Sequence, residues 1–320
     1  MLILTGAAGF IGSCFLTYLN EKGIKEIGIV DDFSRTSKRA NWVSKNYAIK
    51  IEREKFLEFL KEEKTTVDAI FHLGARTDTT EKNKALFDAL NVDYTKAIVK
   101  YCTQKQVPLI YASSAATYGL GTAGYSDQVA PSQLKPLNAY GDSKNNLDAW
   151  LLEQREQPPF WAGLKFFNVY GPNEYHKGRM ASVVLQTFNR IKTTGAVELF
   201  RSHRADIADG QQSRDFVYVK DVLDILYFMY EKQAPSGLYN VGTGQARSFM
   251  DLAQQTFYAL NLEPNISFVD TPEDIRATYQ YFTQADLDKL RSVGYTKRLQ
   301  TLEEGVRDYV QNYLMRGAIL

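Results

Sequence analysis

The chain is short of the residues that build metal centres, disulfide frameworks, membrane spans and nucleic-acid surfaces. Cysteine occurs twice and histidine three times in 320 residues. Cys14 and Cys102 are too few for a disulfide framework or a four-ligand zinc site. His72, His176 and His203 stand at no metal-ligand spacing, so no metal is expected. Lys and Arg (38) nearly cancel Asp and Glu (37), leaving a net charge of +1. A protein that binds nucleic acid by displacing counterions carries a clear positive excess, and no nucleic-acid partner is expected. No apolar run approaches the roughly 18 residues of a membrane span. The opening MLILTGAAGF has no basic segment before its apolar stretch and no cleavage site after it. These absences point to a soluble, cytoplasmic protein.

What is present is a globular balance, 44% hydrophobic and 23% charged, over a length that suits two domains. Leu2–Thr5, Ile27–Val30, Val67–His72 and Leu109–Ala112 read as strands of continuous apolar character, as in a parallel sheet buried on both faces. Between them Ile11–Lys22 and Lys84–Lys105 are long enough for crossover helices. A helix beginning near Tyr140, a strand over Leu164–Phe167, another over Phe216–Tyr218 and a helix from Asp221 to Tyr230 continue the pattern. Alternation in roughly 30-residue units implies a doubly wound α/β sheet. Asn173–Gly178 and Arg201–Ser213 are polar and turn-rich. The expected division is a nucleotide-binding domain over 1–168, to which 214–242 returns, and a smaller α/β substrate lobe from 169–213 and 243–320.

Gly6-Ala7-Ala8-Gly9-Phe10-Ile11-Gly12 follows a strand and opens a helix. Glycine there permits a left-handed turn and close approach of backbone to a pyrophosphate, which the helix N-terminus attracts. Glycines at this spacing alone mark only a tight turn. The strand before, the helix after and Asp31 at the end of the next strand supply the context of a dinucleotide site. Asp31 suits a ribose hydroxyl and favours NAD. Arg35, Lys38, Arg39 and Arg53 could instead neutralise the 2′-phosphate of NADP, or simply be solvated.

Tyr140 and Lys144 lie one helical turn apart. A phenol is a poor base at neutral pH, and a nearby ammonium would lower its pKa and make it a usable acid and base. Such pairs arise by chance in a chain with 20 tyrosines. Ser113-Ser114, at the end of a strand where sheets of this kind hold their ligands, raises the pair to a candidate centre for oxidation at a carbinol carbon. Ser114 could hold both the substrate hydroxyl and Tyr140. Arg214 could grip a pyrophosphate, or be an ordinary surface arginine.

TGAAGFIG (5–12), YASSAATYG (111–119), YGDSK (140–144) and FFNVYGP (166–172) resemble the extended short-chain dehydrogenase/reductases, with a Rossmann-type fold. HKGRMASV (176–183), RDFVYVKDV (214–222), YNVGTG (239–244) and YQYFTQADL (279–287) narrow the resemblance to the ADP-glycero-manno-heptose 6-epimerases, over nearly the whole chain. That resemblance implies interconversion of the two C6 epimers of an ADP-heptose for lipopolysaccharide core synthesis, with tightly held NADP that is not consumed. It implies catalytic roles for Ser114, Tyr140 and Lys144, and makes Lys177 a second proton-transfer group. Cofactor contacts are implied at Gly6, Gly9, Phe10, Ile11, Gly12, Asp31, Asp32, Lys38, Arg53, the loop Leu73, Gly74, Ala75, Arg76 and Thr77, Asn91, Lys144, Val169 and Lys177. Substrate contacts are implied at Ser114, Asn168, Arg179, Gln186, Phe200, Arg201, Ser202, His203, Arg214 and Tyr279. A homo-oligomer, with pentamers known, is implied as well.

Leu73, Arg76 and Arg179 depart from that family's pattern, and the 201–213 loop is longer. Rival readings are a UDP-hexose 4-epimerase and a non-catalytic nucleotide-binding protein. A dehydratase is disfavoured by Ala115-Ala116-Thr117 after Ser114, where an acidic pair would be needed.

Overall fold

The computed structural model describes residues 1–62, 64–276 and 279–320. The strands in chain order are β1 (Leu2–Thr5), β2 (Ile27–Asp31), β3 (Ile49–Glu52), β4 (Ala69–His72), β5 (Leu109–Ser114), β6 (Trp161–Phe166), β7 (Asn168–Tyr170), β8 (Val197–Phe200), β9 (Ser213–Tyr218), β10 (Gly237–Val241), β11 (Ala246–Ser248) and β12 (Ile266–Val269). Seven of them form one parallel sheet in the order β10-β6-β5-β4-β1-β2-β3. β1, β2 and β4 are buried along their whole length. Their unbroken apolar runs face helices on both sides, as a parallel sheet requires. The chain leaves β1 towards β2 and later returns to β4 on its other side, and ligands bind above such a reversal.

The helices that flank the sheets are chiefly α1 (Phe10–Glu21), α2 (Arg53–Lys61), α3 (Lys84–Phe87), α4 (Tyr94–Lys105), α5 (Ala139–Leu152), α6 (Val183–Thr194), α7 (Val219–Lys232) and α8 (Phe249–Ala259). Three expectations change in detail. The single helix foreseen over 84–105 is α3 and α4 joined by a π turn at Asp88–Asp93, which carries Asn91. The strand foreseen at Leu164–Phe167 runs from Trp161 to Phe166, with Lys165 buried inside it. Phe216–Tyr218 is strand, but β9 pairs with β7 and β11 in a separate three-stranded sheet and does not join the central one. Of the stretch 214–242, α7 packs on α1 and β10 forms the edge of the central sheet beside β6. Among the described residues no helix is long and apolar enough to cross a membrane.

Candidate active site

The glycine turn sits where β1 passes into α1. Gly6 has φ +71°, and a Cβ on it would stand 2.6 Å from the Gly74 nitrogen. A Cβ on Gly12 would lie 2.1 Å from the Gly6 carbonyl oxygen. Both clashes are with backbone, so the close approach depends on glycine. No side chain caps α1 and its first turn has no acidic residue, which leaves its free N–H groups and positive dipole end for an anion.

Above the turn opens a cleft of about 540 Å³. It is lined by Gly6, Gly9, Phe10, Ile11, Gly12, Asp31, Asp32, Lys38, Arg53, the whole 73–77 loop and Lys177. Asp31 Oδ2 accepts the Ala8 N–H (2.9 Å), and Oδ1 accepts the Asp32 N–H (2.8 Å) and Lys38 Nζ (3.0 Å). Of a carboxylate's roughly four acceptor positions three are filled, leaving room for one ribose hydroxyl. Arg35 pairs with Asp32 and Arg53 with its neighbour Glu54. Arg76 Nε in the same lining is buried without a partner. The glycine cradle, the acceptor at the end of β2 and the surrounding cations fit a dinucleotide.

A directed chain of hydrogen bonds supports this cleft. Thr95 Oγ1 gives its one proton to the Asn91 carbonyl (2.8 Å), so His72 Nε2–H donates to Thr95 Oγ1 (2.9 Å). Nδ1 of the neutral ring then accepts from Thr5 Oγ1 (2.7 Å), which itself accepts the Gly74 N–H (3.1 Å). Burial holds His72 at about 3, so the ring is neutral. Asn91 is buried behind the cleft; its amide bonds both Arg76 backbone groups (2.8 and 3.0 Å) and Ser143 Oγ (3.0 Å). The chain thus ties the glycine turn to α5.

Ser114 ends β5 and Tyr140 begins α5, close enough for the Ser114 side chain to act on the phenol, while Ser114 Oγ accepts the Ala116 N–H (3.1 Å). Asn138 caps α5 through Gly141 N (2.9 Å), fixing where Tyr140 emerges. The contact expected between Lys144 and Tyr140 is not the one formed. Lys144 Nζ donates to the Ala112 carbonyl (2.7 Å), because α5 lies against β5. Burial pushes the Tyr140 phenol above its ordinary value, Ser114 counters and Asp148 adds to the rise. Burial brings Lys144 down to about 8, opposed by Asp148. Asp148, one turn beyond Lys144, is fully buried and receives Tyr111 Oη (2.8 Å), Ser113 Oγ (2.7 Å) and Lys165 Nζ (2.8 Å).

Lys177 lies in the turn Tyr175–Met180, its Nζ 5.4 Å from the centre of the Phe10 ring. Burial lowers its pKa and Glu174 opposes the change. His176 meets the Asn41 amide at 3.4 Å. Arg179 is exposed and bridges to Asp78 (3.2 Å) on the loop that follows the cleft's 73–77 wall, where Arg76 meets the same carboxylate at 3.6 Å. The departures at 76 and 179 therefore meet at one aspartate. Gln186 is exposed and bonds the Ala181 carbonyl (2.8 Å); Asn168 and Val169 begin β7, with Asn168 exposed.

Arg214 is no surface arginine. It is 7% exposed, its guanidinium lies 5.4 Å from Phe249 and 5.6 Å from Tyr279, and it donates to the Ser213 and Gln280 carbonyls. Phe200 stands edge-on to Tyr279 at 6.1 Å. Arg201 is half exposed between Asp209 and Asp270, Ser202 N donates to Asp209 (2.8 Å), and His203 N donates to Tyr281 Oη (3.0 Å). Cys14 and Cys102 are buried. Among the described residues no group of three or more His, Cys, Asp or Glu could hold a metal ion.

Residues 2–242 match the NAD dependent epimerase/dehydratase family. The chain is 50% identical to an ADP-L-glycero-D-manno-heptose-6-epimerase of Fusobacterium nucleatum, with 99% of this chain and 98% of that protein aligned. The crystal structure of the Helicobacter pylori ADP-L-glycero-D-manno-heptose-6-epimerase superposes with a TM-score of 0.81 at 30% identity, over 97% of this chain and 95% of that one. A Thermus thermophilus UDP-glucose 4-epimerase, solved in complex with NAD, superposes with a TM-score of 0.79 at 25% identity, over 99% of both chains.

Proposed function

The chain belongs to the NAD dependent epimerase/dehydratase family and, within it, to the ADP-L-glycero-D-manno-heptose-6-epimerases, and we propose that it inverts C6 of an ADP-linked heptose. The substrates are ADP-D-glycero-β-D-manno-heptose and its L-glycero epimer, intermediates for lipopolysaccharide core synthesis. The observation that carries this reading is the placing of Tyr140, at the start of α5, beside Ser114 at the end of β5, in a chain related over its whole length to enzymes of that name. A nicotinamide cofactor, when bound, supplies a two-electron acceptor that is regenerated within each turnover. We assign it as NADP, since Lys38 and Arg53 line the cleft beside Asp31.

Inversion requires a transient C6 ketone to present both faces. C6 is exocyclic, so rotation near C5–C6 moves its oxygen between two places. One group cannot stand within about 3 Å of both. Tyr140 serves one place and Lys177, from a different element, the other. Ser114 orients the oxygen and the phenol. Lys144 holds the cofactor ribose and supplies positive charge to the site. Arg214, held between Phe249 and Tyr279, takes the ADP pyrophosphate together with the 200–203 segment. Residues 1–168 with α7 and β10 form the cofactor domain, the remainder forms the substrate lobe, and the enzyme works as a homo-oligomer. Tyr140→Phe and Lys177→Met should each lower epimerisation at least about 100-fold while nicotinamide stays bound. A fully active Lys177→Met enzyme would overturn the two-group scheme.

A further inference from the structure

Glu174, three residues before Lys177, is wholly buried. Its Oε2 accepts the Ser182 N–H (2.6 Å), and Oε1 accepts Ser182 Oγ (2.5 Å), Tyr309 Oη (3.1 Å) and, more distantly, the Gly171 N–H (3.5 Å). The two amides can only donate, so the carboxylate is held as an acceptor. Ser182 Oγ in turn caps α6 through Leu185 N (3.2 Å). Glu174 and Ser182 therefore join the two ends of the 175–181 turn. Inside it the Lys177 N–H bonds the Glu174 carbonyl (2.9 Å) and the Ala181 N–H bonds that of Gly178 (3.1 Å). The backbone under Lys177 is closed from both sides, with its amine over Phe10 at the glycine turn.

We propose that Glu174 is a positioning residue for Lys177: its carboxylate clasps the turn over the cofactor cleft and sets a buried negative charge within the turn that carries the Lys177 amine. This rests on the reading of Lys177 as the second proton-transfer group. Glu174 is the acid whose charge bears on Lys177 and raises its proton affinity against the effect of burial. Around Glu174 the other titratable groups are Tyr309, Tyr175 and Cys14, with Lys45 and Lys220 acting on Cys14. Around Lys177 stands His176, itself facing Lys38 and Asp31.

Across a turnover one proton is shared between Tyr140 and Lys177, so kcat/KM follows a bell whose limbs belong to the pair. Because the epimer equilibrium takes up no proton, the bell is the same in both directions. Glu174→Gln keeps most of the clasp: its carbonyl accepts from Ser182 N and the hydroxyls of Ser182 and Tyr309 can turn to its amide, while the longer Gly171 N–H bond is lost. It removes the charge, and the bell should move to lower pH by roughly 0.5–1 unit. Glu174→Asp keeps the charge but cannot span the turn; kcat should fall at least about 5-fold with the bell in place and nicotinamide content unchanged. An unmoved bell in Glu174→Gln, or wild-type kcat in Glu174→Asp, overturns the proposal when Lys177→Met is inactive. An active Lys177→Met removes the reading beneath it instead. Should Glu174→Gln fail to fold, the Glu174→Asp result alone decides.

Discussion

Asp148→Asn removes one charge from a fully buried pair behind the reaction centre. In the wild type Asp148 meets Lys165 at 2.8 Å, and both side chains are wholly inaccessible. The asparagine oxygen can still accept from Tyr111 or Ser113, but the amide nitrogen cannot accept from Lys165. Lys165 then keeps Thr117 Oγ1 (2.8 Å) and the Tyr118 ring (5.2 Å) and no counter-charge. Breaking a buried pair on one side costs about 3–5 kcal/mol. At about 2–4 °C per kcal/mol this lowers Tm by roughly 6–20 °C. Adding Lys165→Met removes the stranded ammonium with a side chain of similar length, and the double variant should recover at least about 2 kcal/mol. Denaturant unfolding of the four proteins, followed by circular dichroism, gives the cycle. An Asp148→Asn protein within about 1 kcal/mol of wild type would refute the argument, because Lys165 would then need no anion.

Acid stability carries a second signature. Burial takes His72 from 6.5 to about 3, so between those values the folded protein binds fewer protons than the unfolded chain. Stability is therefore lost as pH falls through that window, by up to about 1.4 kcal/mol per pH unit. Asp221, raised to about 6, acts with the opposite sign, but it is common to wild type and variant. The stability difference between wild type and His72→Gln should thus shrink on acidification below pH 6.5, and a pH-independent difference would contradict it. For the cofactor, Lys38→Ala with Arg53→Ala should weaken NADP at least about 10-fold and NAD far less, as expected for lost charge-assisted hydrogen bonds. Equal losses in calorimetric titrations of the two would reject the NADP assignment.

The glycine turn, Asp31 and the helix bearing Tyr140 were legible because each lies in local order: apolar strand, tight turn, helix. The start of β6 was missed at Trp161-Ala162-Gly163, where a glycine follows two residues of no strand-specific pattern, and the burial of Lys165 is explained only by Asp148 on another element. The π turn at Asn91 breaks no hydrophobic pattern and left no mark in the periodicity. β9 looks like any other strand in sequence; its sheet is set by pairing with β7 and β11. The contact of Lys144 with the Ala112 carbonyl and the burial of Arg214 among aromatics depend on how helices and lobes pack. Nothing in the sequence singles out Glu174, because its clasp depends on Ser182 and Tyr309 being brought to it by the fold.

The most direct test is to incubate the purified protein with ADP-D-glycero-D-manno-heptose, add no cofactor, and resolve the C6 epimers while following absorbance of reduced nicotinamide. The account predicts conversion to the L-glycero epimer with no net reduced nicotinamide. No conversion, even after NADP is supplied, would contradict it.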